Sequence, residues 1–357
     1  MHMADALLAP AVAATMYACS GTAAGVSIRK LRKDERDNAQ KLPTMAVSAA
    51  LVFAGQMINY TIPGTGSSGH LCGGMLLSAL LGPQAGFLSM IVILTIQCLF
   101  FADGGLMALG ANVWNMAFYG CFVGYYLFWR PIMRGRLFSG LGEKGSWRAR
   151  IILASLLGCV LTLQLGAFSV VLETTLSGVT ELPLGAFAAL MQPIHLAIGL
   201  IEGVITAAVL GFVFEARPEL LQDVNADRSA VTAKHSLKTT LLMLAIVAAV
   251  VGGGLSLAAS SNPDGLEWAL FGNADAGYSE NMGLDEEEFG LTGSVSQTAG
   301  AIQQATSFLP DYAFPESDSP VGTTVSGLVG SAMVAGAAIL ICLAGGFFRR
   351  RKKTQQG

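Results

Sequence analysis

Apolar runs of bilayer length follow one another along this chain and leave it little choice of fold. A hydrocarbon core about 30 Å thick takes roughly 20 apolar residues of helix, and every backbone polar group inside it must be bonded within the protein. Nine stretches are candidate spans: about 6–28, 44–62, 71–81, 84–101, 106–129, 151–172, 184–214, 237–259 and 321–348. The third is short for a crossing at ~1.5 Å per residue, which predicts a segment that is tilted, buried in protein or partly re-entrant. With 53% of residues hydrophobic and 13% charged, the chain falls in the membrane class and not among soluble enzymes. The predicted fold class is an all-α membrane protein.

The positions of the charges say more than their sum. The 21 Lys and Arg fall in four clusters, 29–41, 130–150, 217–238 and 349–353. Nine alternating spans put all four on one side, which the positive-inside rule makes the cytoplasm. The expected protein is a multi-pass inner-membrane protein with an extracytoplasmic N-terminus, an extracytoplasmic His70 and a cytoplasmic C-terminus. A composition break divides it into a seven-span part over 1–216, a cytoplasmic linker over 217–236 and a two-span part over 237–357. Between those last two spans, Ser260 to Pro320 holds eleven Asp or Glu, including Asp285-Glu286-Glu287-Glu288, and no Lys or Arg. Such a tract is expected to be solvated and poorly ordered. The alternative is that it gathers divalent cations at the outer mouth by electrostatic focusing.

The start, Met1-His2-Met3-Ala4-Asp5-Ala6-Leu7-Leu8, carries the most specific chemistry. No Lys or Arg precedes Arg29, unlike the charged opening of a secretory signal, and the bulk of His2 predicts that Met1 is retained. The α-amine and the His2 amide nitrogen would close a five-membered ring on a metal, and that amide with the His2 imidazole Nδ1 a six-membered one. One more imidazole, that of His70, would complete a square of nitrogens. Tetragonal nitrogen sites suit Ni(II) and Cu(II), and Co(II) could use the same donors. The alternative is a chance Met-His start.

Other polar residues within the apolar stretches have competing readings. His195 lies in the seventh stretch beside Pro193, with Glu202 seven residues on, on the same helix side. Ionisable groups inside a membrane are usually functional, although a lone His is more often a satisfied core residue. His235 belongs to the linker surface. The six Cys and fourteen Met are scattered and fill the core. Gly120/Gly124 and Gly199/Gly203 are small-residue steps that allow close helix packing. There is no HExxH, no phosphate-binding GxxxxGK[ST] loop and no convergent acid–base set, so nothing points to an enzyme.

Three segments resemble the cobalt/nickel substrate-specific membrane component of energy-coupling-factor (ECF) transporters. These are the N-terminal octet, Ser68-Gly69-His70-Leu71 with Leu80-Leu81-Gly82-Pro83, and Asp103-Gly104-Gly105-Leu106 with Leu109-Gly110-Ala111-Asn112-Val113. His195 through Glu202-Gly203 is similar to that family's late helix. Further on, Asn262-Pro263-Asp264-Gly265-Leu266-Glu267-Trp268 resembles its small two-span partner subunit, so the chain looks like a fusion of the two. The resemblance implies a seven-helix ECF substrate-binding component plus a C-terminal two-helix hairpin, with cobalt(II) or nickel(II) as transported substrate. It implies Met1, His2 and His70 as metal ligands, with Asp103, Asn112, His195 and Glu202 in supporting or coupling roles. Implied partners are a coupling transmembrane protein and cytoplasmic ATPase subunits, besides membrane lipid; nucleic acid is not among them. Nickel as the main physiological ion is one alternative. A membrane metal sensor or assembly factor that does not translocate is another.

Overall fold

The computed structural model describes residues 1–33, 38–135, 138–179, 182–224, 233–274, 277–278, 282, 293–315, 317 and 319–354. The acidic run 285–288 and part of the expected linker lie outside these residues. The N-terminal part holds α1 (Pro10–Lys33), α2 (Asn38–Gln56), the strands β1 (Tyr60–Ile62) and β2 (Ser67–Gly69), α3 (Gly74–Leu81) and α4 (Pro83–Phe101). It continues with α5 over 109–134, α6 (Gly142–Ser177) and α7 (Leu184–Ala216). The C-terminal part holds α8 (Leu237–Gly253), α9 (Gly265–Phe271), α10 (Ser294–Thr306) and α11 (Val321–Thr354). The two strands are antiparallel, with Tyr60 opposite Gly69.

All nine apolar stretches become helix, but not nine regular spans. Among the described residues six helices are long and apolar enough to cross a membrane: Pro10–Leu31, Pro83–Phe101, Gly142–Ser177, Leu184–Ala216, Leu237–Ala258 and Val321–Ile341. The second stretch ends early because residues 60–62 leave the helix and pair with Ser67–Gly69, leaving Leu42–Gln56 as a shorter apolar helix. The third is an eight-residue helix, roughly 12 Å long, buried from Gly74 to Leu80. The fifth starts only at Leu109, and its central run Val113–Trp129 is wound as a π-helix.

The scaffold is held by close helix contact on one side. α6 and α7 form an antiparallel pair, and a Cβ on Gly199 or Gly203 would stand 2.9 Å from the Cα of Val160 or Leu156 respectively. Any larger residue would push the pair apart, as the small-residue step predicted. At the end carrying the basic clusters, Lys144, Arg148 and Lys234 all pair with Glu215. There too the Trp129 indole donates to the Gln222 carbonyl at 2.9 Å, and Arg134 and Tyr125 hold Asp223. His235 is exposed there, as expected. At the opposite end of α1 and α4 lie the N-terminus and Asp103.

The C-terminal part does not float beside this scaffold. α8 and α11 pack on α2. The connection between them, expected to be solvated, is docked at several of its described residues. The Ser68 amide donates to the Pro263 carbonyl at 2.8 Å, Trp268 Nε1 to the Thr65 carbonyl at 2.8 Å, and Asn273 to the Gly66 carbonyl at 2.7 Å. Composition misled here because the apolar residues of 262–274 and 294–312 are few but concentrated: Leu266, Ala269, Leu270 and Leu309 are buried.

Candidate metal centre

The first four residues run inward as an extended segment, followed by a 3-10 turn over Asp5–Leu7, and are clamped by the stretch before and into α5. Asn112 grips the Met3 peptide unit from both sides. Its Oδ1 accepts from the Met3 amide at 2.7 Å and its Nδ2 donates to the Met3 carbonyl at 3.1 Å. The Gly105 amide donates to that same carbonyl at 2.9 Å, and Asp5 accepts from the Ala108 amide at 2.9 Å. Met3 is wholly buried. Behind it Asn115 donates to Glu173 at 2.7 Å. These bonds leave Met1 and His2 little positional freedom.

Met1 and His2 meet His70 and two carboxylates. The Met1 amine donates to Asp264 Oδ2 at 2.8 Å, and His70 Nε2 is 3.9 Å from that oxygen. His2 Nδ1 lies 3.0 Å from Asp103 Oδ1. The His2 and His70 rings are stacked, with centroids 5.2 Å apart and 16° between their planes. Asp103 is braced from the C-terminal part by the Tyr312 hydroxyl at 2.5 Å, and Gln303 donates to the neighbouring Gly104 carbonyl at 2.7 Å.

The electrostatics of this cluster follow from burial and pairing. Burial pushes the His70 pKa down to about 4, and the nearby amine and His2 push the same way. His70 is thus a neutral imidazole; its Nδ1 faces the Leu71 carbonyl at 3.0 Å, which leaves Nε2 as the bare nitrogen. Burial alone would raise Asp103, but His2 and the Tyr312 hydrogen bond hold it down at about 2. Burial would likewise lower the Met1 amine, yet Asp264 outweighs it and raises the amine above its ordinary value. Asp264 itself is held well below the usual carboxylate range, burial being outweighed by the amine and His70.

His195 and Glu202 stand just beneath. His195 Nδ1 donates to the Met191 carbonyl at 2.8 Å, so its buried Nε2 is a lone pair without a partner. It lines a small cavity together with Met1, His70, Cys72, Met116 and Asp264. Glu202 accepts from the Cys72 amide at 2.8 Å and the Gly73 amide at 2.9 Å. Both amides lie just ahead of α3, where helix N–H groups lack partners. Glu202 therefore fixes the backbone that presents His70. Gln56 adds a third hold there by donating to the Cys72 carbonyl at 2.7 Å.

Met1, His2, His70, Asp103 and His195 thus come together, whereas Asn112 and Glu202 act on the backbone around them. Sequence reasoning missed Asp264, Tyr312 and Gln303, all from the tract expected to be solvated. A signal was present for the first: Asp264 and Glu267 have the spacing of a helix-capping box. Among the described residues no group of three or more His, Cys, Asp or Glu could hold a metal ion. A metal bound here would have to draw on the amine or backbone nitrogen as well as side chains.

Comparison with known proteins agrees with both halves of the chain. Residues 2–220 match the family model for the cobalt uptake substrate-specific transmembrane region (CbiM), and 238–345 match the PDGLE domain. A protein of Archaeoglobus fulgidus described as a fused nickel transport protein, NikMN, is 35% identical over 94% of this chain and 95% of its own length. The fused nickel transport protein NikMN of Rhodobacter capsulatus is 32% identical over the same shares. A crystal structure of a truncated transition metal transporter aligns with 60% of this chain and 99% of its own at 31% identity, with a TM-score of 0.49. With the first model covering well over half its length and a relative this similar from end to end, the chain belongs to the CbiM cobalt uptake family, fused to a PDGLE domain.

Proposed function

We propose that this protein is the substrate-specific subunit of an ATP-driven, ECF-type importer of cobalt(II) or nickel(II). The metal is captured at the extracytoplasmic face by four nitrogens: the Met1 amine, the His2 amide, His2 Nδ1 and His70 Nε2. The observation that carries this is the meeting of a neutral His70, its Nε2 bare, with a buried Met1 amine and a His2 ring stacked on it. Closing the square needs the amine and the His2 amide each to lose a proton, and His2 Nδ1 to turn, unprotonated, from Asp103 toward the metal. Asp103, Asn112 and Glu202 serve as positioning groups, and His195 offers a bare nitrogen below the site. The domain division at 216–237 and the outward N-terminus belong to the same reading, supported by the one-sided basic clusters. So do a coupling transmembrane protein and cytoplasmic ATPase subunits as partners. The relatives are metal transport proteins and not enzymes.

The test is His70→Ala in the full-length protein. Metal affinity should fall by well over tenfold, ~1.4 kcal/mol, while the protein still inserts and unfolds normally. A Kd within tenfold of the parent would remove His70 from the donors. Binding intact but no radiometal uptake in cells that hold the coupling proteins would favour a sensor.

A further inference from the structure

Among the described residues of the C-terminal part, Asp264 is the one whose side chain bonds a proposed donor, and its two oxygens do different work. Oδ1 accepts from the Leu266 and Glu267 amides at 2.7 and 3.0 Å, while the Glu267 side chain accepts from the Asp264 amide at 3.1 Å. This reciprocal cap fixes the carboxylate on the first turn of α9. Oδ2 is left to face away from the helix and accepts from the Met1 amine at 2.8 Å. The next residue must be small for this approach, because a Cβ on Gly265 would stand 3.1 Å from both His195 Cε1 and Ile194 Cγ2. The helix and its flanks are in turn tied to the turn and strand before His70 through Pro263, Trp268 and Asn273. One carboxylate therefore joins a capped helix of the second domain to the first atom of the chain, beside the loop that carries His70.

We propose that Asp264 is a positioning residue that seats the Met1 amine in the capture site, so that the C-terminal domain completes a site otherwise built by the N-terminal one. The consequence for metal affinity rests on the reading of Met1 as a donor; the seating itself does not. A short polar side chain at 264 keeps the helix cap but cannot reach the amine. Asn keeps the cap and the length but lacks the charge that makes the bond strong.

The experiment uses the purified full-length chain as Asp264→Ser and Asp264→Asn, each checked for unchanged melting. Two things are measured: acylation of the α-amine by a water-soluble reagent, located by mass spectrometry of the N-terminal peptide, and Ni(II) affinity with the visible spectrum of the bound ion. In the parent the amine should be protected. Asp264→Ser should raise its acylation at least tenfold, weaken Ni(II) binding at least tenfold and shift the spectrum as the amine leaves the donor set; Asp264→Asn should fall between. An amine as protected in Asp264→Ser as in the parent overturns the proposal, and so does tighter Ni(II) binding, which would make Asp264 a competitor of the metal. An amine that becomes reactive while affinity and spectrum stay unchanged upholds the seating and sinks Met1 as a donor.

Discussion

Glu202→Gln tests whether a buried carboxylate that never meets the metal governs its capture. Glu202 accepts from two successive amides, at 2.8 and 2.9 Å, with the side chain 1% exposed to solvent. A carboxamide has one acceptor oxygen, so its NH2 must face a backbone N–H that has no water to turn to. A hydrogen bond to a charged acceptor contributes about 1.5–3 kcal/mol, and stranding the donor costs a similar amount. The loss should be felt where these amides lead, at Cys72 and two residues earlier at His70. If it falls wholly on the geometry of His70, Ni(II) affinity drops about 10- to 150-fold at ~1.4 kcal/mol per decade. The assay is a competition titration of purified protein with a chelator of known affinity, alongside thermal unfolding in detergent. Affinity within twofold of the parent, at any change in melting temperature, would show that the segment 70–73 is held without Glu202 and refute the argument.

Four further outcomes are expected. Because Asp264 raises the amine pKa, and the amine and the His2 amide must both lose protons to bind metal, Kd should fall with rising pH by up to ~100-fold per unit below that pKa. A flat profile between pH 6 and 8 would exclude the chelate. The amine–Asp264 pair itself should be complete between roughly pH 4 and roughly pH 8, persisting below about pH 4 because Asp264 is lowered from its ordinary value and above about pH 8 until the raised amine deprotonates. Inserting Ala between Met1 and His2 lets the amine, two amides and the imidazole fill the square alone, so metal binding should survive and radiometal uptake fail; normal uptake would make the position of His2 incidental. Thr61→Cys should react with an impermeant thiol reagent from outside and Glu143→Cys, beside Lys144, should not; the reverse pattern would invert the orientation.

Much of this was legible in the sequence because the strongest constraints were one-dimensional. Hydropathy marks helices, and the positions of Lys and Arg mark their ends, whatever packs against what. The chelate proposed at Met1-His2 can be read from sequence because its rings would close within two residues. The extent of each helix was less so: the hydropathy of 57–62 is compatible with a helix, and only pairing with Ser67–Gly69 makes it a strand. Nor could the eight residues of α3 show that protein, rather than lipid, would cover them. Asp264 and Tyr312 escaped because each meets its partner across roughly 200 residues or more. In a tract with eleven acids, mean charge concealed the one that turns inward to the Met1 amine. His195 remained ambiguous for a related reason: its bare Nε2 depends on a bond to the Met191 carbonyl that no spacing announces.

The anchoring of residues 217–224 bears on how the two halves find each other. Gln222 donates its amide to the Ala79 carbonyl at 2.8 Å, Trp129 holds its carbonyl and Arg134 holds Asp223. The chain leaving the first domain is therefore secured to it before the second begins. Should the contacts around Asp264 part during a transport cycle, that domain cannot diffuse away, and its return is an intramolecular event. Covalent attachment of this kind sustains an effective concentration on the order of millimolar. A contact too weak to recruit a separate subunit from the membrane would still re-form here at every turnover.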